Sequence, residues 1–146
     1  MNTLFPLSSL LVMPFWVLVI FLPTWKWSKK IIASPWISAG AALLYAGLVL
    51  PKVLEILPAV MNPSLQGIIG LLATPAGATI AWVHFLAFDL FVGRWVYLDS
   101  HEKGLSPFIV SPILFFVLML GPLGFLVYLL VRLVKQTRVT NKIVSA

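Results

Sequence analysis

Four long apolar runs leave this chain one solvent in which to fold. They extend over about Leu4 to Leu22, Trp36 to Leu57, Thr79 to Leu98 and Phe108 to Leu133, and roughly 20 apolar residues in a helix cross the hydrocarbon of a bilayer. Lipid offers no hydrogen bonds to a bare backbone, so runs of this length read as helices. With 61% hydrophobic and 10% charged side chains in 146 residues, too little polar surface remains to clothe a soluble domain. The expectation is an all-α fold: one integral membrane domain over residues 1–146, a polytopic bundle of four transmembrane helices.

The connecting pieces refine that picture. The first run contains Pro6 and Pro14 and ends at Pro23, before Trp25, Lys26, Trp27, Lys29 and Lys30, the composition of an interfacial anchor. Its Met1-Asn2-Thr3 start lacks the positive charge of a secretory signal and no small-residue cleavage site follows, so it reads as a mature span. Taken as a complete chain without an Arg- and Ser-rich extension, it reads as an integral protein of a bacterial inner membrane or of a thylakoid or plastid membrane. The second run is short to Leu50 and reaches spanning length only through Pro51 and Lys52 toward Leu57. In the fourth, Gly121-Pro122 marks a kink.

Leu57 to Thr79 is moderately apolar but broken by Pro58, Pro63, Pro75 and several glycines. Asn62-Pro63-Ser64 supplies a turn and a cap, and Leu65, Ile68, Ile69 and Leu72 recur at helical spacing. This piece reads as a short amphipathic helix at the interface or a re-entrant element, with a fifth span as the alternative. Basic residues do not decide between them by themselves. Four spans divide them four against five, with Lys26, Lys29, Lys30 and Lys103 opposing Lys52, Arg132, Lys135, Arg138 and Lys142, whereas five spans divide them seven against two, which argues for the alternative.

The net charge of +6 lies beside the spans, where it meets the headgroups of the lipid bilayer, and gives no pointer to nucleic acid. The absence of cysteine removes disulfides, thiolate metal sites and a thiol nucleophile. Two histidines alone cannot build a zinc or haem site, so no metal is expected. Asp99, His101 and Glu102 have a spacing that could hold a divalent ion, but a solvated loop is the simpler reading. Lys52 and Glu55 are spaced for an i,i+3 pair, and Arg132 reads as a snorkelling anchor.

Chemistry concentrates in the third run, where His84, Asp89, Arg94 and Asp99 recur every five residues. At about 100° per residue they wind around the helix, with Asp99 about 60°, Asp89 about 140° and Arg94 about 280° from His84. No intrahelical ion pair at favoured spacing exists among them, so partners must come from other helices, a ligand or water. Asp89 is the deepest, and an ionised carboxylate there needs a cation or several donors. Gly93 leaves space beside it for a neighbouring helix or a slender ligand. The alternative is structural: such groups also pin helices together or anchor their depth.

These residues resemble a known family. Trp82-Val83-His84-Phe85-Leu86-Ala87-Phe88-Asp89-Leu90-Phe91-Val92-Gly93-Arg94, continuing to Asp99, is similar to the signature of the neoxanthin synthase type, the abscisic-acid-deficient family of small membrane proteins. Leu65 to Pro75 and Gly121-Pro122-Leu123-Gly124 extend the resemblance over nearly the whole chain. It implies a four-helix membrane protein linked to carotenoids. The implied reaction converts the epoxide end group of violaxanthin into the allenic alcohol of neoxanthin without net oxidation. An acid protonates the epoxide oxygen and a base takes a proton from the adjoining polyene carbon, so the implied chemistry calls for no redox cofactor. On that reading Asp89 is the acid or His84 the base, and Arg94 stabilises developing oxyanion charge.

Two functions stay open: a carotenoid isomerase, and a non-catalytic subunit that binds a carotenoid or other apolar pigment or assembles a membrane complex. A transporter is disfavoured by the absence of an internal repeat and of a second polar span. Four helices enclose a wound set of polar groups thinly, which leaves room for a homodimer or a membrane-complex partner.

Overall fold

The computed structural model describes residues 1 and 3–144, with side chains described to 137, so Arg138 and Lys142 lie outside the described side chains. Among the described residues the chain is helical with no strand: α1 (Leu4–Phe21), α2 (Lys26–Ala33), α3 (Ala39–Val49), α4 (Val53–Met61), α5 (Leu65–Leu72), α6 (Pro75–Glu102), α7 (Pro107–Leu120) and α8 (Pro122–Val144). Short 3-10 turns at Pro35–Ser38 and Leu50–Lys52 join the helices on either side of α3. Three stretches are long and apolar enough to cross a membrane, namely Leu4–Phe21, Pro35–Met61 and Pro75–Glu102.

The chain divides into two compact units, residues 1–14 with 36–88 and residues 15–35 with 89–146. In the first, Phe5 stacks on Trp82 at 5.4 Å and Ser9 accepts a hydrogen bond from the Trp82 indole at 3.2 Å. Here the second apolar run continues past its expected end at Leu57 to Met61, with Pro58 inside α4. Pro58 sits six residues into that helix, which continues beyond it to Met61. The piece that follows contains the expected short helix, α5. The Ser64 hydroxyl accepts from the Gly67 N–H at 3.1 Å, the cap that its sequence promised. Lys52 and Glu55 form their exposed i,i+3 pair at 3.7 Å.

The second unit corrects the expected fourth span. Residues 108–133 do not form one kinked helix; α7 and α8 are separate, and the chain turns back between them at Gly121, where φ is +33° and ψ is −93°. Only glycine adopts such a conformation at little cost, and Pro122 then starts α8 where a missing N–H does no harm. Gly124 lies so close to the Val117 backbone that a Cβ would not fit, which is how the two limbs approach. The direction of α8 follows from its neighbours on α6. Gly121 meets Asp89, while Tyr128 and Arg132 reach Asp99 and Lys135 reaches the Gly104 carbonyl. Thus α8 runs alongside α6 toward Glu102, antiparallel to α7, and the pair is a helical hairpin with both open ends at one end of the unit.

Buried residues of this unit come from every element: Trp16, Val19, Ile32, Leu90, Val96, Tyr97, Val110, Leu114, Val117 and Tyr128. The Trp16 ring lies against Gly93, where an added Cβ would stand 2.5 Å from it. The space that the sequence left at Gly93 is thus filled by an indole of α1.

Candidate functional site

The four residues of α6 spaced five apart, His84, Asp89, Arg94 and Asp99, are treated differently by the structure. Arg94 is a structural clamp. Its Nε donates to the carbonyls of Ile32 at 2.9 Å and Ser34 at 3.2 Å, and Nη2 donates to that of Ala33 at 2.5 Å. These are the last carbonyls of α2, which have no partner within their own helix. A cation there also complements the negative end of the helix dipole. The expected oxyanion role for Arg94 therefore meets a guanidinium with two of its three nitrogens already engaged.

Asp99 is held as firmly. Its Oδ2 accepts from the Tyr128 hydroxyl at 2.5 Å and from Arg132 Nε at 2.8 Å, and Oδ1 accepts from Arg132 Nη2 at 3.2 Å. Arg132 is thus an ion-pair partner, where the sequence suggested a snorkelling anchor. The missed signal was directional: only if the chain turns back at Gly121 does α8 bring Tyr128 and Arg132, one helical turn apart, to the level of Asp99. His101 donates through Nδ1 to the Tyr97 carbonyl at 2.8 Å, Glu102 pairs with Lys103 at 3.8 Å, and the Tyr97 hydroxyl donates to the Pro23 carbonyl at 2.7 Å. Among the described residues no group of three or more His, Cys, Asp or Glu side chains is gathered around a metal-sized site.

Asp89 and His84 stand apart from this network. Among the described residues neither makes an ion pair or a side-chain hydrogen bond. Asp89, half-buried in the second unit, lays its carboxylate on the hairpin turn, where a Cβ on Gly121 would stand 2.6 Å from Oδ1. The first N–H groups of α8 follow directly, and a helix start favours negative charge. His84 belongs to the first unit and is exposed there. Its ring lies 4.8 Å from Phe88, 5.4 Å from Tyr45 and 6.1 Å from Phe85. Phe85 and Phe88 are themselves more than half exposed. An imidazole thus lies within an exposed aromatic surface.

The profile of the ABA DEFICIENT 4-like family matches residues 3–128. The chain belongs to this family. It is 30% identical over 108 residues to Protein ABA DEFICIENT 4, chloroplastic, of Arabidopsis thaliana, an alignment covering 70% of this chain and 49% of the plant protein. The chain therefore spans about half the length of the curated relative it matches. No solved structure matches it. The matched region contains His84, Asp89, Arg94, the Gly121 turn and Tyr128, and ends before Arg132.

Proposed function

We propose that this member of the ABA DEFICIENT 4-like family acts on an oxygenated carotenoid in the membrane, isomerising an epoxide end group of the violaxanthin-to-neoxanthin type by proton transfer. One observation carries this reading. Of the ionisable residues wound around α6, Arg94 and Asp99 are engaged in holding helices together, whereas His84 and Asp89 retain their polar atoms without a partner among the described residues. A carboxyl group kept in a mostly apolar helix without a structural bond suits proton transfer.

In this reading Asp89 donates a proton to the epoxide oxygen as its C–O bond opens. His84 is the base that takes the proton from the neighbouring carbon, whose electrons form the new double bond of the allene. Bonds broken and formed balance within one substrate, so the reaction has no electron donor or acceptor. Arg94 becomes a positioning residue that holds α2 to α6. The plant relative's name places that protein in the chloroplast, and a plastid or thylakoid membrane is the corresponding proposal here.

A second reading has its own observation. The exposed rings of Phe85 and Phe88 beside His84 suit holding a polyene without changing it, as a pigment-binding or assembly subunit would. Expression in a host that makes violaxanthin and related carotenoids separates the two, with pigments from the purified protein and the host analysed by chromatography. A new allenic product that disappears with Asp89→Asn supports catalysis. Bound pigment with an unchanged host profile supports the holding role, and neither product nor pigment removes both.

A further inference from the structure

The hairpin gathers charge at one end of the second unit. Its open ends, the α6–α7 loop and the outer part of α8, contribute Lys103, Arg132 and Lys135. The turn from α1 into α2 arrives at the same end, since Pro23 accepts the Tyr97 hydroxyl and a cleft of about 490 Å³ between Phe21, Pro23, Pro107 and Phe108 joins that turn to the start of α7. Next to it α2 buries Ser28 and Ile32 and exposes Trp27, Lys26, Lys29 and Lys30. Lys30 lies over the Trp27 ring at 5.4 Å.

Acidic groups at this end are few and already matched. Asp99 is paired with Arg132 and Glu102 with Lys103. Among the described residues no carboxylate faces Lys26, Lys29 or Lys30. A sequence that divided its basic residues evenly between two faces thus folds into a unit with one basic end.

We propose that this end is a docking surface for the anionic headgroups of one bilayer leaflet, with α2 lying along the interface and its three lysines supplying most of the contact. Three features fit a lipid face. The charges sit on an amphipathic helix, Trp25 and Trp27 are exposed beside them as interfacial rings are, and Arg94 ties the end of that helix to α6. The side from which the chain inserts retains its basic residues, so this leaflet faces the compartment of synthesis.

The test uses the full chain in mild detergent, given equal amounts of phosphatidylglycerol and phosphatidylcholine, purified again and assayed for retained lipid. Phosphatidylglycerol is expected to be enriched several-fold, with the enrichment declining as salt rises. Lys26→Gln with Lys29→Gln and Lys30→Gln should remove at least half of it, whereas Lys52→Gln, in the other unit, should leave it unchanged. Equal retention of both lipids by the unaltered protein overturns the proposal, as does an enrichment that the triple variant keeps. Displacement of the lipid by a short RNA or by inorganic phosphate overturns it too, since the charges would then serve another anion. Should the triple variant elute as an aggregate, the salt series on the unaltered chain and Lys135→Gln carry the decision.

Discussion

Residue by residue, the polar groups of α6 are separated by what they touch. Gly121 is the most constrained of their contacts, because it combines a positive φ with a carboxylate against its Cα. Gly121→Ala should cost roughly 1–3 kcal/mol, as left-handed backbone conformations do for other residues, read as a lowered unfolding midpoint in detergent by circular dichroism. Part of that cost is contact with Asp89, so the same substitution should be milder beside Asp89→Ala, a coupling that a double-mutant cycle reports. Tyr128→Phe removes a donor from a carboxylate and should cost about 1.5–3 kcal/mol in the same assay. Asp89→Asn, which breaks no bond seen in the structure, should leave the midpoint within about 0.5 kcal/mol of the original. Loss of product in that variant would then report on chemistry and not on folding.

Among the elements, the α7–α8 hairpin is the feature on which most else depends. A chain without cysteine suits single-cysteine labelling, and the hairpin makes a direct prediction. Ser106→Cys and Thr137→Cys should react with a membrane-impermeant maleimide from the same side, because both flank the open end. Labelling from opposite sides would show α8 crossing. The interfacial helix is next: Arg94→Gln leaves the last carbonyls of α2 short of donors, and protease cleavage between Ser34 and Trp36 should quicken several-fold. Much of this was legible in sequence, including the helical class, the Ser64 cap, the Lys52–Glu55 pair and the space at Gly93. The turn at Gly121 was not. Gly-Pro bends a helix in one setting and reverses the chain in another, and what decides is tertiary: Gly124 admits the Val117 backbone, and Asp99 offers α8 a partner only if it runs back.

For the whole molecule, the same reversal changes how orientation is read. Counting charges across four assumed crossings gave no bias, whereas in the structure Arg132 and Lys135 lie at the end of the second unit that holds Lys103 and the turn from α1 into α2. With both at the same end as Lys26 to Lys30, neutralising Lys26, Lys29, Lys30 and Lys135 together should yield a mixed population, seen as Ser106→Cys labelling from both faces of sealed vesicles. The site was legible to a similar degree. His84 and Asp89 could be singled out because polar groups are costly in lipid, but the structural engagement of Arg94 could not, because its partners are backbone carbonyls of a helix 60 residues away that carry no mark in sequence.

The hairpin also has a metrical consequence. At 14 residues, α7 is about 21 Å long, shorter than the roughly 30 Å of hydrocarbon that a spanning helix must match. Both of its outer connections return to one end, so the Gly121 tip takes its depth from that surface alone. A membrane that thickens or thins at its opposite surface leaves the tip, and the Asp89 carboxylate resting on it, at an unchanged distance from the nearer headgroups.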